Sequence, residues 1–263
     1  MTGKSEENIF ILKTRKSINP EVVWLSFVPE SGNPVEFTAG QYITLYFLNS
    51  SFGWQGKSYS VASSPYESAG ISIVVKKIGG FSSAIHELRV GDKVKIIGPT
   101  GYFYPSPGAK SLLFLAAGIG ISPFYSILRS LERNGGLNDK NVVLLYSNKT
   151  KDDIVFFDEL NEVAEKNKGF KIAHFLTRNV QSFDSPPARS GYPPRSLSLA
   201  VEGKSPGIDE FHRIDKEALK KYAAPLSKRE CLICGSIAFV NDMWALLKED
   251  GVPEENIVTE AFY

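Results

Sequence analysis

The sequence predicts two domains, an antiparallel β-barrel over residues 1–107 and an α/β domain built on a parallel sheet over residues 108–263. Three observations carry this expectation. The first hundred or so residues alternate apolar and polar positions with the period of strands. Beyond residue 108, short apolar runs alternate with helical patterns, which calls for parallel strands joined by crossover helices. Between the two lies Tyr104-Pro-Ser-Pro-Gly108, a stretch with the composition of a linker.

In the first half, Glu21–Val28, Gln41–Leu48 and Ile71–Lys77 are rich in β-branched and aromatic residues and read as strands. Turn residues separate them at Ser31-Gly-Asn-Pro, Thr38-Ala-Gly, Ser63-Ser-Pro and Gly79-Gly80. A short helix is expected from Ser82 to Leu88 with Ser82 as its cap, and Val90–Pro99 reads as a turn and a last strand. In the second half, Ser111–Ala117 suits a strand buried on both faces. A glycine turn and a helix from Ser122 to about Arg133 follow it. Strand Val142–Tyr146, helix Phe156–Glu165 and strand Phe170–Leu176 repeat the unit, and helix Asp215–Tyr222, strand Cys231–Cys234, helix Ala238–Lys248 and strand Ile257–Thr259 complete it. The Pro/Ser/Gly-rich stretch Asn179–Gly207 is longer than an ordinary connection, as expected of a functional loop or a mobile insertion.

Apolar residues make up 43% of the 263 and charged residues 22%, the balance of a globular chain. Thirty basic and 29 acidic side chains leave a net charge of +1, which gives no global reason to expect nucleic acid or an anionic membrane as partner. The polar start Met1–Asn8 lacks an apolar signal core, and no run approaches the ~18 apolar residues of a membrane span. The expectation is a soluble cytoplasmic protein. Cys231 and Cys234 are the two cysteines. A plant-type iron–sulfur cluster needs about four thiolates, so any one-electron carrier is expected to be a separate molecule. His86, His174 and His212 are scattered without metal-ligand spacing, read as structural or surface residues, and no metal centre is expected.

Two stretches suggest binding chemistry. Gly118-Ile-Gly-Ile-Ser-Pro123 lies between an apolar strand and a helix, the Rossmann-like setting in which backbone N–H groups and the helix dipole favour a pyrophosphate. Pro123 suits the first turn of that helix. The alternative is an ordinary turn whose glycines serve packing alone. Lys57-Ser-Tyr-Ser60 sets a cation, an aromatic ring and a hydroxyl on one face of a strand, suited to a phosphate, a flat conjugated ring and a ring nitrogen. Here the alternative is a solvated strand face beside one core tyrosine. On the strand Cys231–Cys234, positions three apart face opposite sides, which favours a buried structural Cys231 over a redox dithiol.

Lys57-Ser-Tyr-Ser-Val-Ala-Ser-Ser-Pro65 resembles the Arg-x-Tyr-Ser signature of the ferredoxin–NADP reductase superfamily. The resemblance continues in the family's order through Val74-Val-Lys76, Gly79-Gly-Phe-Ser82, Gly98-Pro-Thr-Gly101, Gly118–Pro123, Cys234-Gly-Ser and Thr259-Glu-Ala-Phe-Tyr263, and leaves out Asn179–Gly207. It implies a flavin-binding barrel followed by a nucleotide-binding domain, with FAD and NADP(H), or NAD(H), as cofactors. Lys57 would contact the flavin pyrophosphate, Tyr59 would pack on the isoalloxazine and Ser60 would bond near its N5. Val74, Val75 and Lys76 would line the flavin through backbone groups, and Gly80, Phe81 and Ser82 would hold its pyrophosphate. Gly118, Gly120 and Pro123 would form the dinucleotide turn, with Cys234 and Gly235 near the nicotinamide. Tyr263 matches the aromatic residue that covers the flavin, Phe262 is the alternative, and Glu260 resembles the acid close to it. Thr177 and Arg178, assisted by Lys149 and Lys151, would meet the 2′-phosphate of NADP. The family usually has Arg where this chain has Lys57, and Lys offers a point charge rather than a two-pronged contact.

The resemblance implies hydride transfer from NADPH to FAD, and then single-electron transfer to an external carrier such as ferredoxin or flavodoxin. Ser60, Cys234 and Glu260 would shape the transfer site while Tyr263 moves aside. A cytochrome, an oxygenase component or free flavin as acceptor is the alternative, and a non-catalytic flavin- or nucleotide-binding module is another.

Overall fold

A computed structural model describes residues 8–48, 52–67, 69–178 and 208–262. Six strands form the first sheet: β1 (Ile9–Asn19), β2 (Val22–Pro29), β3 (Tyr42–Phe47), β4 (Gly56–Ser60), β5 (Ile71–Lys76) and β6 (Lys93–Thr100). Their order is β4-β3-β6-β1-β2-β5, and every pairing is antiparallel. Val61, just past β4, bridges Ile73 of β5 and brings the two edges together as a barrel. Alternate residues of the strands, among them Leu12, Leu25, Phe27, Ile43, Leu45, Ile73 and Ile96, fill its interior. This is the period of two that a half-buried sheet requires.

The second sheet is parallel, in the order β11-β10-β7-β8-β9. Its strands are β7 (Ser111–Ala117), β8 (Asn141–Asn148), β9 (Phe170–Leu176), β10 (Glu230–Ser236) and β11 (Ile257–Phe262). Besides the short helix α1 (Gly80–His86) of the first half, α2 (Ile121–Arg133), α3 (Phe157–Lys166), α4 (Lys216–Ala223) and α5 (Ile237–Glu249) join or flank these strands. Cys231 and Cys234 fall in different apolar clusters on opposite faces of β10, as the strand period demands. Burial pushes the Cys231 thiol up to about 12.

Several element bounds differ from the sequence expectation. Helix α1 starts at Gly80, because Gly79 takes the cap position and Ser82 sits inside the first turn. The Ser82 Oγ accepts from the N–H groups of Ile78 and Gly79 at 2.9 and 3.0 Å. Asp215 caps α4 through its side chain rather than joining it, and α5 starts one residue earlier than expected, at Ile237, capped by the Ser236 side chain. Strand β11 runs on to Phe262, since Glu260–Phe262 pair with Cys234–Ser236. Strand β1 was not marked by the sequence, and its second half, with Lys13, Arg15 and Lys16, is exposed.

The two sheets share an apolar cluster. It takes Val22, Ala62, Val74 and Phe103 from the first half, with Phe114, Phe124 and Ile127 from the second. Ser126 Oγ of α2 donates to the Ser63 carbonyl at 2.6 Å, Arg129 pairs with Glu67 at 2.9 Å, and Lys76 pairs with Asp153 at 3.6 Å.

Candidate functional site

Two clefts meet between the sheets. The first, of about 690 Å³, is walled by β4, β5, the Gly79–Ser82 turn and the end of β11. The second, of about 770 Å³, lies over the carboxyl ends of β7, β8 and β9 and against α5. In a parallel sheet these strand ends form the crevice where ligands bind. Ile119 and Lys76 line both clefts and so mark their junction.

Lys57, Tyr59, Ser60, Val74, Lys76, Gly80, Phe81, Ser82 and Phe262 all line the first cleft. Val75 does not: its side chain fills the barrel core, and its carbonyl meets His86 Nε2 at 2.9 Å. Lys57 is exposed, and none of the ion pairs among the described residues involves it. Lys76 is spent on Glu21 at 3.2 Å and on Asp153. Beside Gly79 no atom lies within 4 Å of where a Cβ would sit, and beside Gly80 only Phe52 approaches, at 3.9 Å. The turn thus leaves open space that side chains would fill. An open glycine turn, a free cation and the rings of Tyr59, Phe81 and Phe262 fit a ligand that combines phosphate with a large flat ring.

Ser60 does not share a strand face with Lys57 and Tyr59. In the register, Lys57 and Tyr59 stand opposite Leu45 and Ile43, whereas Ser60 stands opposite Tyr42 on the other side of the pleat. The Ser60 Oγ donates to Glu260 Oε1 at 2.8 Å. Burial holds the Glu260 carboxyl above the ordinary carboxylate range, against the opposing effect of that hydrogen bond. Glu260 itself opens on a smaller adjoining cavity of about 370 Å³, with Tyr42, Tyr102 and Phe262. Cys234 lines none of these spaces. The pleat of β10 turns its thiol into the shared core, fully buried, and burial raises it well above its usual range. Tyr263 lies outside the described residues, as does Asn179–Gly207.

In the second cleft, the turn Gly118–Gly120 is a single 3₁₀ turn leading into α2. Gly118, at φ +53°, lines the cleft. Gly120 and Pro123 are buried beneath it. A Cβ on Gly120 would stand 2.4 Å from the Cys234 carbonyl oxygen, and one on Gly235 would stand 3.0 Å from the Ala117 Cβ, so both glycines serve close approach of α2 and β7 to β10. Thr177 lines the cleft, and its N–H and Oγ1 donate to the Asn148 carbonyl at 2.9 and 3.2 Å. The Arg178 N–H donates to the Lys149 carbonyl, but its side chain is not part of the wall. Lys149 is part of it, while Lys151 lies over the Phe157 ring. Sequence reasoning missed Asn148, Arg213 and Asp242, which also line this cleft. A polar residue ending an otherwise apolar parallel strand was the one available signal for Asn148.

Among known proteins, residues 10–104 match the family of oxidoreductase FAD-binding domains, and residues 114–244 match that of oxidoreductase NAD-binding domains. The ferredoxin reductase component of 3-ketosteroid-9-alpha-monooxygenase from Mycobacterium tuberculosis is 29% identical over 234 residues, which cover 87% of this chain and 55% of that protein. The chain thus spans little more than half the length of that relative. NADH-cytochrome b5 reductase 1 of Eremothecium gossypii is 32% identical over 191 residues, 66% of each chain. The fold matches that of a ferredoxin NADP+ reductase from Neisseria gonorrhoeae, solved with FAD and NADP bound, at a TM-score of 0.76 and 21% identity over 99% of this chain and all of that one. An FAD-binding barrel followed by an NAD(P)-binding parallel sheet, matched in this order, makes the chain a member of the ferredoxin–NADP reductase superfamily.

Proposed function

We propose that the first cleft holds FAD, the second holds a nicotinamide dinucleotide, and the chain passes reducing equivalents from NAD(P)H to an external one-electron carrier. The observation that carries this reading is the junction of the two clefts at Ile119 and Lys76. When bound, the cofactor pair supplies the hydride and electron chemistry, and the protein supplies position and electrostatics. Lys57 meets the flavin pyrophosphate, and the Gly79–Ser82 turn gives it room. Tyr59 and Phe262 flank the ring. Ser60, held by Glu260, presents a hydroxyl at the ring edge, and Gly118 admits the dinucleotide pyrophosphate.

NADPH is favoured as donor, since Thr177 and Lys149 line the second cleft with Arg213 beside them. A ferredoxin or flavodoxin is the acceptor we favour. The relative named as a ferredoxin reductase component supports the first of these. The relative named NADH-cytochrome b5 reductase supports a second reading, with NADH as donor and a cytochrome as acceptor.

An absorbance spectrum of the purified protein tests the core of the proposal. Flavin bands that bleach on anaerobic addition of NADPH, faster than with NADH, are the expected result. A protein that stays colourless after incubation with FAD would overturn it. Lys57→Ala is expected to weaken FAD retention about tenfold, ~1.4 kcal/mol, as measured by flavin release during dilution. A loss below about twofold would remove Lys57 from the phosphate site.

A further inference from the structure

Arg213, Ile214 and Asp215 enter the second cleft from a segment fixed at both ends. Upstream, Glu210 bridges Phe175 of β9, and its carbonyl accepts from the Leu176 N–H at 2.9 Å. Downstream, Ile214 is buried, and Asp215 Oδ1 accepts from the Ala218 N–H at 2.8 Å as the cap of α4. Phe211, His212 and Arg213 between them are exposed. Among the described residues one hydrogen bond holds the Arg213 backbone, from His212 Nδ1 to its carbonyl at 2.6 Å. No ion pair among those residues takes up the Arg213 guanidinium.

The His212 ring faces oxygen at both nitrogens. Nδ1 has Asp215 Oδ2 at 3.6 Å besides the Arg213 carbonyl, and Nε2 lies 3.3 Å from Glu210 Oε2. The other Glu210 oxygen accepts from Lys221 Nζ and from the Tyr222 hydroxyl. Those hydrogen bonds, Lys221 foremost, hold the Glu210 carboxyl below the ordinary carboxylate range, so it remains an acceptor. The uncharged Phe175 ring stands perpendicular to the imidazole at 5.7 Å. A neutral imidazole has one N–H and one lone pair, and here that lone pair would confront an oxygen. The imidazolium donates on both sides.

We propose that His212 is a positioning residue of the second cleft: as an imidazolium it ties Arg213 to Glu210 and so presents a fixed cation to an anionic ligand there. This rests on reading the second cleft as the dinucleotide site. The tie is short and ends on solid ground, because Glu210 is bonded to β9 through its backbone and to α4 through its side chain. When the ring gives up its proton, one of its two contacts is lost. Arg213 then has no link to Glu210, and the cleft loses a charge held in place. The proton leaves as pH rises, so dinucleotide affinity is highest on the acid side of histidine titration and falls on the alkaline side.

The test is calorimetric titration of the flavin-loaded chain with ADP-ribose, whose pyrophosphate keeps its charge throughout, at about pH 5.5 and about pH 8, either side of histidine titration. The wild type is expected to bind about fivefold more tightly at the lower pH, the size of one hydrogen bond. His212→Ala should bind at both pH values as weakly as the wild type does at the higher one. Arg213→Ala should also lose the pH dependence. Both positions are exposed, so neither variant threatens the fold. A dependence that survives in His212→Ala places the titrating group elsewhere and overturns the proposal. One that survives in Arg213→Ala means that the imidazolium acts through its own field, which overturns the positioning role. A wild type that binds equally at both pH values overturns the proposal and leaves the cleft reading standing. A wild type that binds at neither brings down both.

Discussion

Gly120→Ala is expected to destabilise the protein by about 3 kcal/mol, the upper part of the range for forcing atoms into a packed interior. The added Cβ would lie 2.4 Å from the Cys234 carbonyl oxygen, 2.7 Å from its carbon and 2.9 Å from the Gly235 Cα. All three are backbone atoms of β10, which is paired on both sides, with β7 and β11. No side chain can swing away, so the turn or the strand must shift. The melting temperature should fall by roughly 10 °C, and dinucleotide binding should weaken with it, because Gly118 moves too. Gly118→Ala is the control. Its Cβ would meet nothing within 4 Å, and its left-handed φ of +53° costs a residue with a Cβ only about 1 kcal/mol. Thermal melts of the two variants side by side check the argument. Equal losses would mean that backbone conformation, not contact with β10, sets the need for glycine.

The second large effect is an acid sensitivity centred on His174. The ring is 1% exposed and lies between Tyr146 and Phe157, with centroids at 5.9 and 4.9 Å. Neither ring nitrogen has a hydrogen-bond partner among the described residues. Burial pushes its pKa down from 6.5 to about 4. Between those values the unfolded chain binds a proton that the folded chain refuses, so stability rises with pH across the window and is lost as pH falls through it. The expected loss between pH 7 and pH 4.5 is about 2 kcal/mol from this residue alone. His174→Phe keeps an aromatic ring in the slot and has no proton to take up. Urea unfolding at the two pH values should show the variant losing about 2 kcal/mol less than the wild type. Parallel losses in the two proteins would shift the cause to the carboxylates.

The architecture was legible because both halves follow periods that burial enforces. Ile43, Leu45, Ile71 and Ile73 alternate because one face of a barrel strand meets the core, and Leu112–Ala116 is apolar throughout because both faces of β7 are covered. Most of the first cleft was legible for a related reason. Lys57 to Ser60 and Gly79 to Ser82 are contiguous motifs, and a contiguous motif keeps its geometry when it folds. What escaped was set by the pleat and by distant chain. Cys234 follows its motif in order, but the alternation of β10 sends its thiol into the core. Ser60 and Tyr59 are neighbours in sequence and therefore point to opposite sides. Asn148 and Arg213 enter one cleft from segments far apart in the chain; Arg213 carries no local pattern that announces it, and Asn148 only its polar place at the end of an apolar strand. Helix α1 began early because a glycine can take the extended cap conformation that the sequence reading assigned to Ser82.

The apolar cluster shared by the two sheets has a practical meaning for anyone wishing to dissect the molecule. A cut at the 104–108 connection would uncover Val22, Ala62, Val74 and Phe103 on one fragment and Phe114, Phe124 and Ile127 on the other. Each piece would carry a sticky face large enough to drive self-association. Each half is therefore expected to need the other to cover this face, and a soluble, monomeric fragment of either would count against that.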